Sequence, residues 1–435
     1  LTASMKQAKM PYETVFRAPL EIADGQATIS WLNNDKGFQL DGRNIDVKAK
    51  AVHARGGFRY LQPANDEPWL GILAGISTDD GSQAWRYFPE NLMGKDLVDY
   101  LSGAIQGGEA DNATLVYGGN PQLFPYKHNE GQFEVLVPLR NAKFAFQPDW
   151  PALTNLDIEL DFINDGLWMK TDGVNLGGVR ASNLTAVIPD YSKEKLLIDA
   201  DIKGPGKAVG PYFDETPLKD SLGATLQELQ LDGDVNARLH LDIPLNGELV
   251  TAKGEVTLRN NSLFIKPLDS TLKNLSGKFS FINGDLQSEP LTASWFNQPL
   301  NVDFSTKEGA KAYQVAVNLN GNWQPAKTGV LPAAVNEALS GSVAWDGKVG
   351  IELPYHAGAT YNVELNGDLK NVSSHLPSPL AKPAGEPLPV NVKVDGNLNS
   401  FELTGQAGAD NHFNSRWLLG QKLTLDRAIW AADSK

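Results

Sequence analysis

The chain has 435 residues, of which 41% are hydrophobic and 21% are charged. This composition supports a sizeable folded core and gives no sign of disorder. There are 38 Lys and Arg against 52 Asp and Glu, so the formal net charge is −14. That balance argues against nucleic acid and anionic membrane surfaces as partners, because both need clustered cations. The absence of Cys excludes disulfides and Cys-ligated metals but leaves the cellular compartment open.

The longest apolar stretch runs over residues 69–76. It is far shorter than the roughly 20 residues that a membrane-spanning helix needs. The chain starts at Leu1 without a charged segment followed by an apolar one. We therefore expect any signal or anchor to have been removed or to lie upstream.

Three segments are predicted as short helices. They cover residues 89–104, 217–229 and 332–339, and each opens with a Pro suited to the first helical turn. Their similar spacing suggests a repeat. Residues 139–167 align with 258–286 without a gap, and eleven of the 29 positions are identical, where chance gives about two. We therefore predict serial units: the end of one unit at 1–88, units at 89–216 and 217–331, and an incomplete unit at 332–435.

Outside these helices, several segments show strict alternation of apolar and polar side chains, which is typical of strands with one dry face and one wet face. Half-buried strands of this kind favour an antiparallel sheet. In chain order, the apolar phases are Leu156, Ile158, Leu160 and Phe162; Val235, Ala237, Leu239, Leu241 and Ile243; Leu300, Val302 and Phe304; Tyr313, Val315, Val317 and Leu319; Tyr361, Val363 and Leu365; and Val390, Val392 and Val394.

Glycine and proline punctuate these strands. An apolar residue followed by Asn or Asp and then Gly begins at six positions: Leu231, Leu245, Ile282, Leu319, Leu365 and Val394. Such dipeptides suit tight hairpins, although a Gly within a strand would equally suit a curved sheet. The proline-rich residues 376–389 are predicted as a loop, because Pro cannot donate to a sheet ladder.

No pattern indicates catalysis or a bound cofactor or metal. The six His residues are too widely spaced for a helical metal pair. Residues 341–348 imitate a phosphate loop but contain one residue too many. Asp232, Asp234 and Asn236 imitate a calcium loop that lacks its required Gly and Glu. We therefore expect a protein that is not an enzyme.

The function depends on what packs against the apolar faces of the strands. Two sheets could pack face to face as a sandwich, or one curled sheet could leave an apolar trough. Periodicity alone leaves both open. The repeat favours the trough, because serial units that share one sheet stack naturally. The predicted fold is therefore mainly β: a curled antiparallel sheet with a continuous hydrophobic groove and a few short helices.

Several aromatic and proline motifs are recognisable together. They are Tyr87-Phe88-Pro89, Leu123-Phe124-Pro125-Tyr126, Gly131-Gln132-Phe133 and Asp149-Trp150-Pro151. With these motifs the chain resembles the AsmA-like envelope proteins of Gram-negative bacteria. The resemblance implies a non-catalytic, repeating β-groove bridge in the periplasm. It further implies an inner-membrane anchor upstream, an outer-membrane contact and phospholipid as the ligand.

The resemblance and the alternation together predict a function. We expect the apolar phases given above to line a groove that shields phospholipid acyl chains from water during transport toward the outer membrane. An alternative from another class is a rigid β-repeat scaffold that binds a protein or a glycan on its outer face. Acyl-chain contact along the apolar face distinguishes the two.

Overall fold

The computed structural model describes residues 1–11, 14–266, 269–329, 331–377, 380–420 and 423–432, apart from the side chains of Ser221 and Leu222. Over these residues the chain is mainly β. Twenty-five strands belong to one long antiparallel sheet and two more form a small separate pair. The prediction of an antiparallel, mainly β fold with few short helices is confirmed.

The strands include all six of the predicted alternating segments. In chain order they are β1 Thr2–Met10, β2 Leu20–Asn34, β3 Gly37–Ala49, β4 Val52–Pro63, β5 Trp69–Thr78, β6 Ile105–Gly119, β7 Gln132–Phe144, β8 Leu153–Ile163, β9 Gly166–Leu176, β10 Val179–Ile188, β11 Lys195–Pro205, β12 Leu229–Asp232, β13 Asp234–Pro244, β14 Thr251–Ile265, β15 Ser270–Ile282, β16 Asp285–Ser288, β17 Leu291–Trp295, β18 Gln298–Glu308, β19 Ala312–Trp323, β20 Leu339–Gly341, β21 Val343–Pro354, β22 Thr360–Asp368, β23 Val372–Ser374, β24 Pro389–Asn397, β25 Ser400–Ala407, β26 Asn411–Leu418 and β27 Thr424–Ala432.

Short helices punctuate the strands. The α-helices are α1 Glu90–Met93, α2 Lys95–Ala104, α3 Val209–Phe213, α4 Ala224–Glu228 and α5 Ala333–Ala338. A π-helical turn covers Lys219–Gly223. The 3₁₀ segments are Gly81–Tyr87, Pro121–Leu123, Tyr191–Lys193, Gly206–Ala208, Pro325–Lys327 and Leu369–Asn371.

Two of the predicted helices differ from expectation. The first is interrupted at Gly94, which has a φ of +82° and donates its N–H to the Glu90 carbonyl at 2.9 Å. Gly adopts this conformation readily. Because Gly94 leaves the helical conformation, α1 ends before α2 begins. The second has only the five α-helical residues of α4, directly after the π-helical turn. In addition, α3 forms in a segment where no helix is predicted.

Contacts divide the chain into two compact units. Unit 1 comprises Leu1–Leu176, Arg180–Ile202 and Leu239–Ala252. Unit 2 comprises Gly177–Val179, Lys203–Arg238 and Lys253–Lys435. Within unit 1, β1 to β9 pair in sequence as an antiparallel meander. Within unit 2, a second antiparallel run continues from β14 through β19, β21, β22 and β24 to β27.

The two aligned sequence segments form the same local structure. The pairing of β7 with β8 shifts register after Leu139, and the pairing of β14 with β15 shifts after the aligned Leu258. Asn141 and Asn260, which follow these positions, have φ values of 49° and 54°. Asn tolerates this left-handed conformation better than other residues with a Cβ. The repeated Arg-Asn sequence therefore encodes a repeated bulge.

The Asn/Asp-Gly elements occur both at turns and within strands. Gly233 has a φ of +93° between β12 and β13. Gly396 lies inside β24, opposite Tyr361. A Cβ at Gly396 would approach the Tyr361 ring to 2.6 Å, so Gly at this position leaves room for an aromatic side chain on the neighbouring strand.

Each unit has its own buried cluster. In unit 1, Leu97, Val98 and Leu101 of α2 share a cluster with β7 and β8 side chains such as Leu139 and Leu156. In unit 2, the cluster joins apolar residues of β13, β14, β15, β17 and β18, including Leu258, Leu275 and Leu300. The predicted alternation is thus realised as burial of one face of each strand.

Candidate functional site

Unit 1 contains an apolar cavity of about 1020 Å³. Its volume is at the upper end of the range typical of small-molecule sites. The walls come from strands β2 to β8, a segment between β1 and β2, and the helical segment before β6. The apolar lining residues include Val15, Phe16, Leu20, Ile22, Val47, Ala49, Val52, Ala54, Ile76, Ala84, Phe88, Pro89, Leu92, Met93, Ile105, Ala113, Leu115, Phe124, Pro125, Phe133, Val135, Val137, Leu139, Leu160 and Phe162.

Strand register explains why these side chains converge. Ala74 of β5 pairs with Leu115 of β6, Leu115 with Val135 of β7, Val135 with Phe162 of β8, and Phe162 with Leu167 of β9. Residues directly opposite each other in an antiparallel sheet point to the same face. One apolar row therefore crosses five strands.

The helical segment before β6 forms another part of the wall. Phe88, Leu92 and Met93 line the cavity, and the Phe88 and Phe162 rings lie 6.2 Å apart between centroids. The next helix, α2, is fixed by the Tyr100 hydroxyl, which donates to the Phe146 carbonyl at 3.0 Å. Burial raises the pKa of Tyr100, so this phenol stays protonated as a donor.

The segment between β1 and β2 is bonded to helices α1 and α2. The Arg17 guanidinium pairs with Glu90 of α1 and, at 2.5 Å, with Asp99 of α2. The Glu90 N–H donates to the Val15 carbonyl at 3.0 Å. Because Val15 also lines the cavity, these bonds fix one part of its wall.

A polar group of side chains, here termed the loop cluster, lines another part of the cavity. It consists of Lys127, Asp165, Asp190 and Ser192. The Lys127 ammonium lies 3.5 Å from the Asp165 carboxylate, and the Lys127 side chain is 55% exposed. Asp190 accepts hydrogen bonds from the Ser192 N–H at 2.9 Å and hydroxyl at 2.7 Å. These bonds lower the pKa of Asp190 and keep it ionised at neutral pH.

In unit 2, strand register builds an extended apolar face. One row runs through paired residues on six neighbouring strands, β18, β19, β21, β22, β24 and β25: Phe304, Val317, Val349, Val363, Val394 and Leu403. An adjacent row includes Leu319 opposite Gly347, Leu365 and Val392. All six residues of the first row are partly exposed, so the face presents apolar surface to solvent.

The predicted groove residues fall into different environments. Leu160 and Phe162 line the cavity. Seven predicted residues of unit 2 are half-buried and belong to the two rows just described: Phe304, Val317, Leu319, Val363, Leu365, Val392 and Val394. Eight further predicted residues are at least nine-tenths buried and are outside the lining given above: Leu156, Ile158, Val235, Ile243, Leu300, Val302, Tyr313 and Val315. Lipid contact by the predicted set stays a prediction.

Strand β8 shows how the buried core and the cavity wall are related. Its first two predicted residues are Leu156 and Ile158. They are 1% and 5% exposed and belong to the cluster that contains Leu97 and Leu101 of α2. Leu160 and Phe162, on the same face of β8, are 3% and 8% exposed and belong to the same cluster, and they also line the cavity. The same alternation thus supplies both core and cavity wall.

Tyr313 has a specific structural role. Its hydroxyl donates to the Gly284 carbonyl at 2.7 Å and lies 2.8 Å from the Thr306 hydroxyl. Burial raises the pKa of Tyr313 to about 12. The phenol therefore stays neutral and joins β19 to the turn between β15 and β16.

Most residues of the cavity wall were missed by the sequence prediction. Those on β3 and β4, such as Val47 and Val52, belong to short alternating stretches next to turns and register shifts. Val135, Val137 and Leu139 lie in a continuous apolar run over residues 135–139, which is consistent with a buried strand and could have been found. The loop cluster has no local signal, because its members come from three separate loops.

Within the described ranges, no group of three or more His, Asp or Glu side chains could hold a metal ion. In the same part of the chain, no helix is both long and apolar enough to cross a membrane.

Comparison with known proteins gives a close relative. The chain is 99% identical over 435 residues to a curated protein of Escherichia coli (strain K12) named intermembrane phospholipid transporter YhdP. The match covers 100% of this chain and 34% of that relative, so the chain spans about a third of its length. No solved structure matches. The model of the YhdP protein family matches residues 1–435, and the chain therefore belongs to the YhdP family.

Proposed function

We propose that this chain shields the acyl chains of phospholipids from water, as part of a protein that carries phospholipid between two membranes. The observation that carries the proposal is the apolar cavity of unit 1, in which side chains from seven strands converge. The name of the Escherichia coli relative supports phospholipid as the ligand. The proposal contains no catalytic step.

The energetics of lipid movement explain what such a surface supplies. The two tails of a phospholipid contain on the order of 30 CH₂ groups, and exposing each to water costs about 0.8 kcal/mol. A lipid therefore crosses an aqueous space slowly unless apolar protein surface replaces the water. The rows of Val, Leu, Ile and Phe side chains supply that surface.

The apolar face of unit 2 would serve the same purpose. Its central row contains aliphatic side chains of similar size, such as Val349, Val363 and Val394, on neighbouring strands. Such a row offers similar contacts at every strand, which would avoid deep traps for a moving lipid. The remaining predicted groove residues of this unit are proposed as contacts on the same basis.

The cellular setting belongs to the proposal as well. We propose that the chain works in the periplasm, because transport between the two membranes of a Gram-negative envelope crosses that space. An inner-membrane anchor upstream and a contact at the outer membrane, both implied by the AsmA-like resemblance, would complete the path. The scaffold alternative would use the outer face and leave the apolar face without a ligand.

A photo-crosslinking experiment in cells distinguishes the two functions. A photoreactive amino acid is placed at Val137, which lines the cavity, and in a control at Glu134, which lies on the opposite phase of β7. A second pair uses Val363 and its exposed neighbour Asn362 on β22. We expect phospholipid adducts at Val137 and Val363 only. Equal capture at inward and outward positions would contradict the proposal.

A further inference from the structure

Most of the charged residues that line the unit 1 cavity belong to the loop cluster. Among the described residues that line it, four carry a formal charge: Asp80, Lys127, Asp165 and Asp190. Three of these belong to the loop cluster, and Lys127 is the only Lys or Arg in the described lining. An apolar cavity with a few convergent polar groups is the usual form of a ligand site.

Three loops build the loop cluster, and hydrogen bonds fix two of them to each other. The Tyr191 N–H donates to the Asp165 carbonyl at 2.7 Å. The Tyr191 hydroxyl donates to the Gly166 carbonyl at 2.8 Å, and Tyr191 is only 4% exposed. The turn after β8 and the turn after β10 therefore form one rigid support for Asp165 and Asp190.

Lys127 is brought to this support by an aromatic loop. Phe124, three residues earlier, packs against Tyr117 and Phe133 with ring centroids 5.7 and 5.5 Å away. Both Phe124 and Phe133 line the cavity. The same loop thus contributes apolar surface and, at its end, an ammonium group that is about half exposed.

The geometry leaves Lys127 able to bind a further anion. Its contact with Asp165 is long, at 3.5 Å, and an ammonium has three donors. A pair this exposed contributes little free energy, so a phosphate oxygen can share the ammonium at small cost. Asp190 is held in place by Ser192, and its carboxylate adds a second negative charge beside Lys127.

We propose that the loop cluster binds the headgroup of a zwitterionic aminophospholipid whose acyl chains occupy the cavity. Lys127 contacts the phosphate, and Asp165 with Asp190 receives the ammonium. The formal charge of these three groups is −1, which disfavours an anionic headgroup that has no amine. This inference rests on the proposed function and adds headgroup selectivity to it.

The test is a competition between two lipids for the whole chain. Purified protein is incubated with vesicles of equimolar phosphatidylethanolamine and phosphatidylglycerol and reisolated, and the bound lipids are quantified by mass spectrometry. Wild type is expected to be enriched in phosphatidylethanolamine relative to the vesicles. In the Asp165→Asn/Asp190→Asn variant the ratio should shift toward phosphatidylglycerol by about threefold, because the two carboxylates that receive the ammonium are lost and exposed ion pairs are individually weak.

Matched variants keep the result interpretable. Asn at position 190 can still cap the 3₁₀ segment that follows. Glu159→Gln/Asp172→Asn makes the same charge change at exposed positions of β8 and β9 and should leave the ratio unchanged. Lys127→Gln should lower the total bound lipid, and Lys170→Gln on β9 should not.

The possible outcomes distinguish a failure of headgroup recognition from a failure of the proposed acyl-chain shielding. Bound lipid whose composition equals that of the vesicles, in wild type and in the Asp variant alike, would overturn headgroup recognition and leave acyl-chain shielding intact. An equal shift in the control variant would assign the effect to net charge and also overturn it. If the wild-type protein binds neither lipid, the proposed function is overturned together with this inference.

Discussion

The ring of Phe88 lies 6.2 Å from the ring of Phe162. The first precedes α1 and the second is on β8, and both line the cavity of unit 1. This contact joins the helical part of the wall to the sheet. The Phe162 side chain of β8 is therefore shared between the cavity wall and the contact with this helical segment.

The first prediction concerns charge in the cavity. Leu115→Glu places a carboxylate among apolar side chains, where an unpaired charge is costly to bury. Bound phospholipid should fall at least about tenfold, because each 1.4 kcal/mol of lost interaction is a factor of ten. Lipid extraction and mass spectrometry of the purified variant measure this. Thr114→Glu is the control, since Thr114 is exposed on the adjacent outward phase of β6 and should retain wild-type lipid.

The second prediction concerns the segment that Arg17 fastens to α1 and α2. Arg17→Met removes the pairs with Glu90 and Asp99 while keeping an unbranched side chain. We expect a loss of about 1 kcal/mol in the free energy of unfolding. Hydrogen exchange of residues 14–18 should also become faster. Arg43→Met, at an exposed position, serves as the control, and equal protection of residues 14–18 in both variants would contradict the fastening role.

The third prediction is a pH dependence at the same helices. Hydrogen bonds from Lys95 and Arg17 lower the pKa of Asp99 below its ordinary value of 3.8. A lowered pKa in the folded state gives stability that is present above 3.8 and is lost as the pH falls through the folded value. Urea unfolding midpoints between pH 6 and pH 3 should therefore fall less steeply in Asp99→Asn than in wild type. Parallel curves would exclude this contribution.

The fourth prediction concerns the repeated bulge. Asn260 has a φ of 54°, a conformation that costs Ala about 1 kcal/mol and that Gly adopts freely. Asn260→Ala should lower the free energy of unfolding by about that amount, and Asn260→Gly should stay near wild type. Urea titrations of both variants measure the difference. Equal destabilisation by Ala and Gly would place the role of Asn260 in its side chain instead of its backbone.

Much of the fold follows directly from local pattern. Alternation at Leu156 to Phe162 and at Tyr361 to Leu365 predicts β8 and β22, because a strand with one buried face requires a period of two. The apolar stripe of α2 likewise predicts a buried helix face. The interruption at Gly94 was missed, since an isolated Gly within a helical pattern is usually tolerated.

Local alternation was thus sufficient to predict an antiparallel, mainly β fold and the apolar side of β8, β13, β18, β19, β22 and β24. What lies against that side depends on the three-dimensional fold: Leu156, Ile158, Leu160 and Phe162 share a buried cluster with residues of α2, and Leu160 and Phe162 also line the cavity. The three-dimensional fold also brought Lys127, Asp165 and Asp190 together from three loops. The reason is physical, because side-chain periodicity is a property of one strand, whereas burial and charge clustering depend on the path of distant segments across the sheet.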